Sequence, residues 1–523
     1  MGGGLLQLVA QGAQDAYLTT NPQITFWKGL YKRHTNFAME PFRVNLTGMP
    51  IWGQKQSATL GRHADLVYST YLDVVLPIFH TGSATVKVNW NNEQGRLGYM
   101  LLDMIELEIG GQLIDRLYSE WLYLWDVLSS DYNRSYKLYQ LVGLGGDPSA
   151  TNGSPMHTRT VITGETTTPI YSYQFPTASQ CMKASGQPSA ALPIYVPLPF
   201  FYTKNPGAAL PLIALQYHEV KINILWNKAR NVSAHMLAFP DNPLPPNPTS
   251  AAVYVDYIYL DVDERRRMAQ ESHEYLIEQV QFNEEKGIGG PQTRVDLTFN
   301  HPIKELVWVV QPDRFTNCTI SDKLNNFTDL LSGTQGAGVP RPKPATVVQQ
   351  RLTPFTYTYM NQGSDTLGRI KNENSDKTSQ FTQPVREMWL QFNGQDRIDR
   401  RGGSYFNKVQ PFQHHTGTMK PHGFDVTPVQ TGENGAGGTG GVGPAPQSHQ
   451  AIYSYSFALK PEESQPSGTC NFSRIDTATI VTHMSGDYVV DEGSDNVWNI
   501  RVYAINYNIL RIMSGMAGLA YSN

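Results

Sequence analysis

The chain has 523 residues and carries 41 Lys+Arg against 45 Asp+Glu, a net charge of −4, with 16% charged and 40% hydrophobic residues. This balance excludes a disordered chain, and it excludes nucleic-acid binding through a basic surface, because displacing counterions needs clustered cations. The length implies about two to four domains, and 45 Gly, 34 Pro, 28 Tyr and 20 Phe describe turn-rich, strand-rich ones.

Residues 1–25 read as an arm. Leu5, Leu6, Leu8, Val9, Ala13, Ala16, Tyr17 and Leu18 form an apolar set too irregular for a strand, and Asn21-Pro22 breaks whatever precedes it. With no Lys or Arg before Lys28 the segment lacks the make-up of a signal peptide, and Leu6 stands where a myristoylation signal wants Ser or Thr. No run of apolar residues anywhere is long enough for a membrane-spanning helix.

Strand signals follow. Ile105, Leu107 and Ile109 alternate with Glu106, Glu108 and Gly110, which places the two glutamates on a solvated face. Residues 117–128 read as a helix with Trp121, Leu124, Trp125 and Leu128 on one side. Val220, Ile222, Ile224 and Trp226 alternate next, and Pro- and Gly-rich turns at 185–199 and 236–248 separate the strands. After a strand-like run at 253–260, residues 263–279 read as a polar helical connector. Its Arg265-Arg266-Arg267 cluster follows Asp261, Asp263 and Glu264, the pattern of a solvated face. Val295, Leu297 and Phe299 alternate, then Tyr453, Tyr455 and Phe457, and a final run spans 500–510.

The chain also repeats itself. Residues 105–116 read IELEIGGQLIDR and residues 388–400 read MWLQFNGQDRIDR. Each copy is a strand, a Gly-Gly or Asn-Gly turn able to take positive φ, and an Ile-Asp-Arg, with an aromatic segment after it. Two similar all-β domains of sandwich or jelly-roll type are expected. The expected boundaries are an arm at 1–25, domains at 26–262 and 280–512 around the connector 263–279, and a tail at 513–523.

No catalytic or cofactor-binding set emerges. The loop Gly432–Gly443 lacks the Gly-Lys-Ser/Thr ending of a phosphate cradle. His414-His415, with His422 nearby, would point to opposite faces of an extended strand and read as structural or surface histidines. His273-Glu274 is followed by Ile277 where a metalloprotease needs histidine, so no metal site is expected. Cys181, Cys318 and Cys470 are scattered and odd in number, so no disulfide is expected. Sequons occur at Asn45, Asn133, Asn152, Asn231, Asn317, Asn326 and Asn471. Asn152, Asn317 and Asn326 are the candidate glycan sites.

Residues 3–37 (GGLLQLVAQGAQDAYLTTNPQITFWKGLYKRHTNF), 256–279 (DYIYLDVDERRRMAQESHEYLIEQ), 392–416 (FNGQDRIDRRGGSYFNKVQPFQHHT), 455–480 and 503–523 resemble stretches of the major capsid proteins of nucleocytoplasmic large DNA viruses, in the branch infecting algae and amoebae. The resemblance implies an all-β double jelly roll: two tandem eight-stranded antiparallel jelly rolls with short helices in loops. It implies a non-enzymatic homotrimer without cofactors that forms a pseudo-hexagonal capsomer. Its implied partners are neighbouring capsomers, minor capsid and penton proteins and an internal viral membrane nearby, with no direct nucleic acid. Its implied place is the virion shell, assembled in the host cytoplasm. Residues 313–385 and 416–451 depart from the family pattern. A glycan-binding, lectin-like jelly roll is the alternative, since architecture does not fix function, and a metal-binding cupin is a third reading.

Overall fold

Alternating apolar and polar residues form sheet through most of the chain, because one face of each strand then buries against a second sheet. The structure, a computed structural model, describes residues 3–27, 29, 31–77, 97–131, 192–235, 245–288, 292–312, 385–417, 452–484 and 498–521. Shorter described stretches lie at 81–83, 86–90, 134, 137–138, 141–142, 156–163, 166–173, 334–335 and 339–340.

Eight strands form the main paths of the first sandwich, with Leu210–Pro211 pairing off the path: β1 (Phe37–Asn45), β2 (Lys55–Leu60), β3 (Leu66–Leu76), β4 (Leu102–Ile109), β5 (Gln112–Tyr118), β6 (Leu192–Pro197), β7 (Val220–Trp226) and β8 (Ser250–Leu260). One sheet has the order β1-β8-β3-β6 and the other β2-β7-β4-β5, all antiparallel. Eight more build the second: β9 (His273–Ile288), β10 (Gln292–Leu297), β11 (Pro302–Pro312), β12 (Val385–Phe392), β13 (Gln395–Asp396), β14 (Ile452–Ser456), β15 (Ala478–Met484) and β16 (Trp498–Met513). Their orders are β9-β16-β11-β14 and β10-β15-β12-β13. Position for position this is the same topology, so the repeat seen in sequence is a repeat of fold: two antiparallel jelly rolls in tandem.

The repeated hairpins match in detail. Ile109 pairs with Gln112 across Gly110-Gly111, and Phe392 with Gln395 across Asn393-Gly394. All four turn residues have positive φ, at 59°, 84°, 48° and 78°, as a two-residue type I′ turn demands. Leu72, Val74, Ile105, Leu107, Ile222, Val253 and Val255 fill the first sandwich, and Leu306, Trp308, Met388, Leu390, Ile480 and Val502 the second. These side chains form a single contiguous cluster that runs from one sandwich into the other.

Helices are short: α1 (Gly3–Val9), α2 (Ser119–Ser129), α3 (Val262–Gln270) and α4 (Gln410–His414) are the main ones. Two expectations are corrected here. The helix expected over 263–279 stops at Gln270, where Glu271 turns extended (φ −80°, ψ 150°), and from His273 the chain is already in β9. Tyr275 and Ile277 there alternate with Glu274 and Glu278, a strand pattern that the surrounding charge obscured. The turn expected over 185–199 contains β6, whose Pro193 and Pro197 sit on a strand at the sheet's edge, where a missing N–H costs no ladder bond. Residues 313–333 and 418–450 lie outside the described residues, as does the loop 432–443.

Candidate functional site

The feature on which chemistry concentrates is the seam between the two sandwiches. Strand β5 and helix α2 of the first lie against the outer face of the β9-β16-β11 sheet of the second. Asp115 Oδ1 accepts the Val280 N–H at 3.1 Å, so an edge strand that would otherwise expose a donor is capped. Gln279 Nε2 donates to the Ile114 carbonyl. At the start of α2, Glu120 accepts two hydrogen bonds of 2.6 Å from the Arg501 guanidinium and a third of 2.6 Å from the Tyr503 hydroxyl. Arg501 also donates to Gln311. The Trp121 and Tyr503 rings lie 5.5 Å apart, and those of Tyr118 and Phe282 4.9 Å apart. Charges at the seam are thus hydrogen-bonded on every side and boxed in by aromatic rings, the condition under which buried ion pairs are tolerated.

Beside them, Lys204 of the first sandwich and Lys304 of the second both meet Glu278, Lys204 at 2.8 Å. Burial alone would raise the Glu278 carboxyl, but the two ammonium groups outweigh it and hold it at about 2. Asp115 has no such cation in contact. Its burial pushes it up to about 6, against backbone hydrogen bonds from Val280 and Arg116 that pull the other way.

A second junction lies at the end of α2. Thr416 Oγ1 donates to the Ser129 carbonyl at 3.0 Å, and Gly417 N to the Leu128 carbonyl at 2.6 Å. A Cβ at Gly417 would stand 2.0 Å from that carbonyl oxygen, so only glycine fits. His415 anchors this segment. Its Nε2 meets Glu305 Oε1 at 2.5 Å and its Nδ1 meets Glu462 Oε1 at 3.1 Å. Burial disfavours the imidazolium, but Glu305 and then Glu462 outweigh it and raise His415 to about 9. His415 is therefore enclosed between two carboxylates that favour its charged form, while His414 Nδ1 bonds the Leu459 carbonyl at 3.1 Å.

A third contact joins the sandwiches beyond β16. Ser514-Gly515 turns the chain into Met516–Leu519, Gly515 accepts the Tyr217 N–H at 3.0 Å, and Ala517 N donates to His218 Nδ1 at 3.1 Å.

Two outer surfaces stand apart from the seam. Residues 3–27 are exposed apart from the half-buried Asp15, with Val9, Tyr17, Phe26 and Trp27 all exposed by more than four-fifths. On the second sandwich, Arg400, Arg401, Ser404, Tyr405, Lys408 and Val409 line an open concavity of about 530 Å³.

Other sequence expectations are placed as follows. Glu106 is not solvated: it is buried between Lys55 and Arg116, at 2.5 and 2.7 Å, and Glu108 accepts from Asn223 at 2.9 Å. The strand's polar face is covered, which a period-two pattern cannot show. Arg265 of the basic cluster pairs with Asp65 at 3.0 Å. Asn152, Asn317, Asn326, Cys181, Cys318 and His422 lie outside the described residues, and Cys470 is a free thiol. Among the described residues no cluster of three His, Cys, Asp or Glu side chains is arranged to hold a metal. Asp115, Glu120, Glu278, Lys304 and Arg501 were not singled out from sequence, although Asp115 belongs to the repeated Ile-Asp-Arg.

Comparison with known proteins agrees with this architecture. Residues 25–261 match the family described as major capsid protein N-terminus, and residues 264–426 and 441–518 match the large eukaryotic DNA virus major capsid protein family. The chain is 39% identical to the major capsid protein of Phaeocystis pouchetii virus, with all of both chains covered. It is 35% identical to that of Paramecium bursaria Chlorella virus 1, again over the whole of both. Among solved structures, a quasi-atomic model of the PBCV-1 virus capsid is similar at a TM-score of 0.61 and 31% identity, covering 95% of this chain and 100% of that one. The Faustovirus major capsid protein shares the fold at a TM-score of 0.59 and 12% identity, covering 96% of this chain and 94% of that one.

Proposed function

The chain belongs to the major capsid proteins of large eukaryotic DNA viruses, and on that premise we propose that three copies close into a pseudo-hexagonal capsomer that tiles an icosahedral shell. The observation that carries this reading is the identical strand order of the two jelly rolls. Three chains of two like domains offer six like corners, which suits a hexagonal lattice, and a head-to-tail contact generates a ring when its rotation closes.

The role is structural, with no reaction step of its own. The domain division in this reading is an arm at 1–25, jelly rolls at 26–262 and 280–512, a connector at 263–279 whose residues from His273 onward are already paired in β9, and a tail at 513–523. Neighbouring capsomers, minor capsid and penton proteins and an internal membrane are the partners, and the exposed apolar side chains of residues 3–36 are the surface to engage them. Shells are built in the host cytoplasm, and Asn152, Asn317 and Asn326 are the candidate glycan carriers. Light scattering after gel filtration tests the reading. It should return about three times 58.4 kDa, and a monomer at micromolar concentration overturns it.

A further inference from the structure

The seam inside one chain uses two unlike surfaces, and each has a counterpart that the described chain covers less completely. In the first jelly roll, β5 and α2 are the covering surface. In the second, β9, β16 and β11 are the covered sheet. By strand order, the second jelly roll's covering surface is β13 and the segment to α4, residues 395–414. The first jelly roll's sheet of the same kind is β1, β8 and β3.

Burial separates these counterparts sharply. Asp115 is 5% exposed because it caps Val280 of the other jelly roll, yet Asp399, its mate in the repeated Ile-Asp-Arg, is exposed. Phe412, in the segment that matches α2, is 87% exposed. The edge strand β9 is capped, whereas its counterpart β1 is an open edge with Phe37 and Met39 exposed by 53% and 49%. Exposed apolar edges of this kind invite pairing with another chain.

We propose that residues 395–412 of one copy cover the outer face of the β1-β8-β3 sheet of the next, with Asp399 set against the β1 edge and Arg400, Arg401 and Lys408 facing Asp256 and Asp73. This rests on the trimer reading above and assigns its contact surfaces. Charge complementarity supports it. Within the chain the covering helix brings the acid, Glu120, and the sheet the base, Arg501. Between copies the covering segment is basic, and the sheet's outer face carries Asp73 and Asp256, with Arg43 beside them, among Tyr71, Tyr195 and Tyr254.

Two measurements on the full chain test this. Arg401→Glu and Asp256→Lys should each weaken the trimer about tenfold or more, while the double variant recovers most of the loss. Asp399→Cys combined with Met39→Cys or Arg43→Cys should give interchain disulfides on mild oxidation, closing into covalent trimers with at least one of the two pairs. If the unmodified chain is trimeric but both charge variants trimerise normally and neither pair cross-links, the surface assignment is wrong and the trimer reading stands. If the unmodified chain is monomeric, the trimer reading itself fails.

Discussion

Nε2 of His415 lies 2.5 Å from Oε1 of Glu305, and neither side chain has any exposed surface. The pair ties the segment before Gly417 to strand β11, and through Thr416 and Gly417 to the end of α2. Replacing His415 with Ala leaves Glu305 buried without its cation, which should cost about 3–5 kcal/mol of unfolding free energy in denaturant titrations. His414→Ala, which removes one bond to a carbonyl, should cost about 1 kcal/mol.

The same pair sets a pH dependence. His415 goes from an ordinary value of 6.5 to about 9 on folding. Its contribution is therefore full below pH 6.5 and is lost as pH rises through about 9, on the order of 3 kcal/mol in all. Stability of the wild type should fall between pH 7 and 9.5 more steeply than that of His415→Ala. Parallel curves would show that the imidazole is neutral in the fold.

Glu278 behaves in the opposite sense. Its carboxyl is held at about 2 against an ordinary 4.5, so the stability it supplies is present above pH 4.5 and disappears as pH falls through about 2. Glu278→Gln should remove that acid-sensitive component and leave Lys304 buried without its partner. A loss of about 3–5 kcal/mol at pH 7, shrinking toward pH 2, is the expected result.

Gly417→Ala should lower the melting temperature, because its methyl group would enter the space of the Leu128 carbonyl. A cost of about 1–3 kcal/mol is expected, typical of an added methylene in a packed contact. Gly394→Ala meets open space but sits at φ 78°, so any loss there reports backbone strain alone.

Deleting residues 3–24 should leave soluble trimers that melt near the wild-type temperature, since that segment contributes nothing to the buried core. Incorporation into shells should be lost. Failure to trimerise would assign the arm to the contact between subunits.

Much of the fold was legible because half-buried strands announce themselves by alternation, as in Ile105-Leu107-Ile109 and Val220-Ile222-Ile224. The repeated turn and Ile-Asp-Arg disclosed the tandem arrangement. Strand β6 escaped notice since its prolines read locally as turn, and only its place at the sheet's edge makes them harmless. Strand β9 was hidden inside a charged stretch, in which Glu278 meets Lys204 of the other jelly roll and Glu274 meets Arg511 of its own sheet. The seam itself was illegible for a plainer reason. Glu120 and Arg501 are 381 positions apart, and no local pattern marks a charge whose partner comes from another domain. Glu106 looked solvated by parity, but Lys55 and Arg116 cover that face.

In each jelly roll the first strand pairs with the last, β1 with β8 and β9 with β16. During synthesis neither sandwich can close until its last strand is made, so each completes in one late step. The first can do so while the second is still being made. Strand β16, which closes the second, also carries Arg501 and Tyr503 to Glu120. Closure of the second sandwich therefore also completes its seam with the first, which Asp115, Glu278 and Thr416 have already begun. A chain stalled or cut before residue 498 lacks both the closing strand and the Glu120 contacts, which leaves quality control one late strand to inspect.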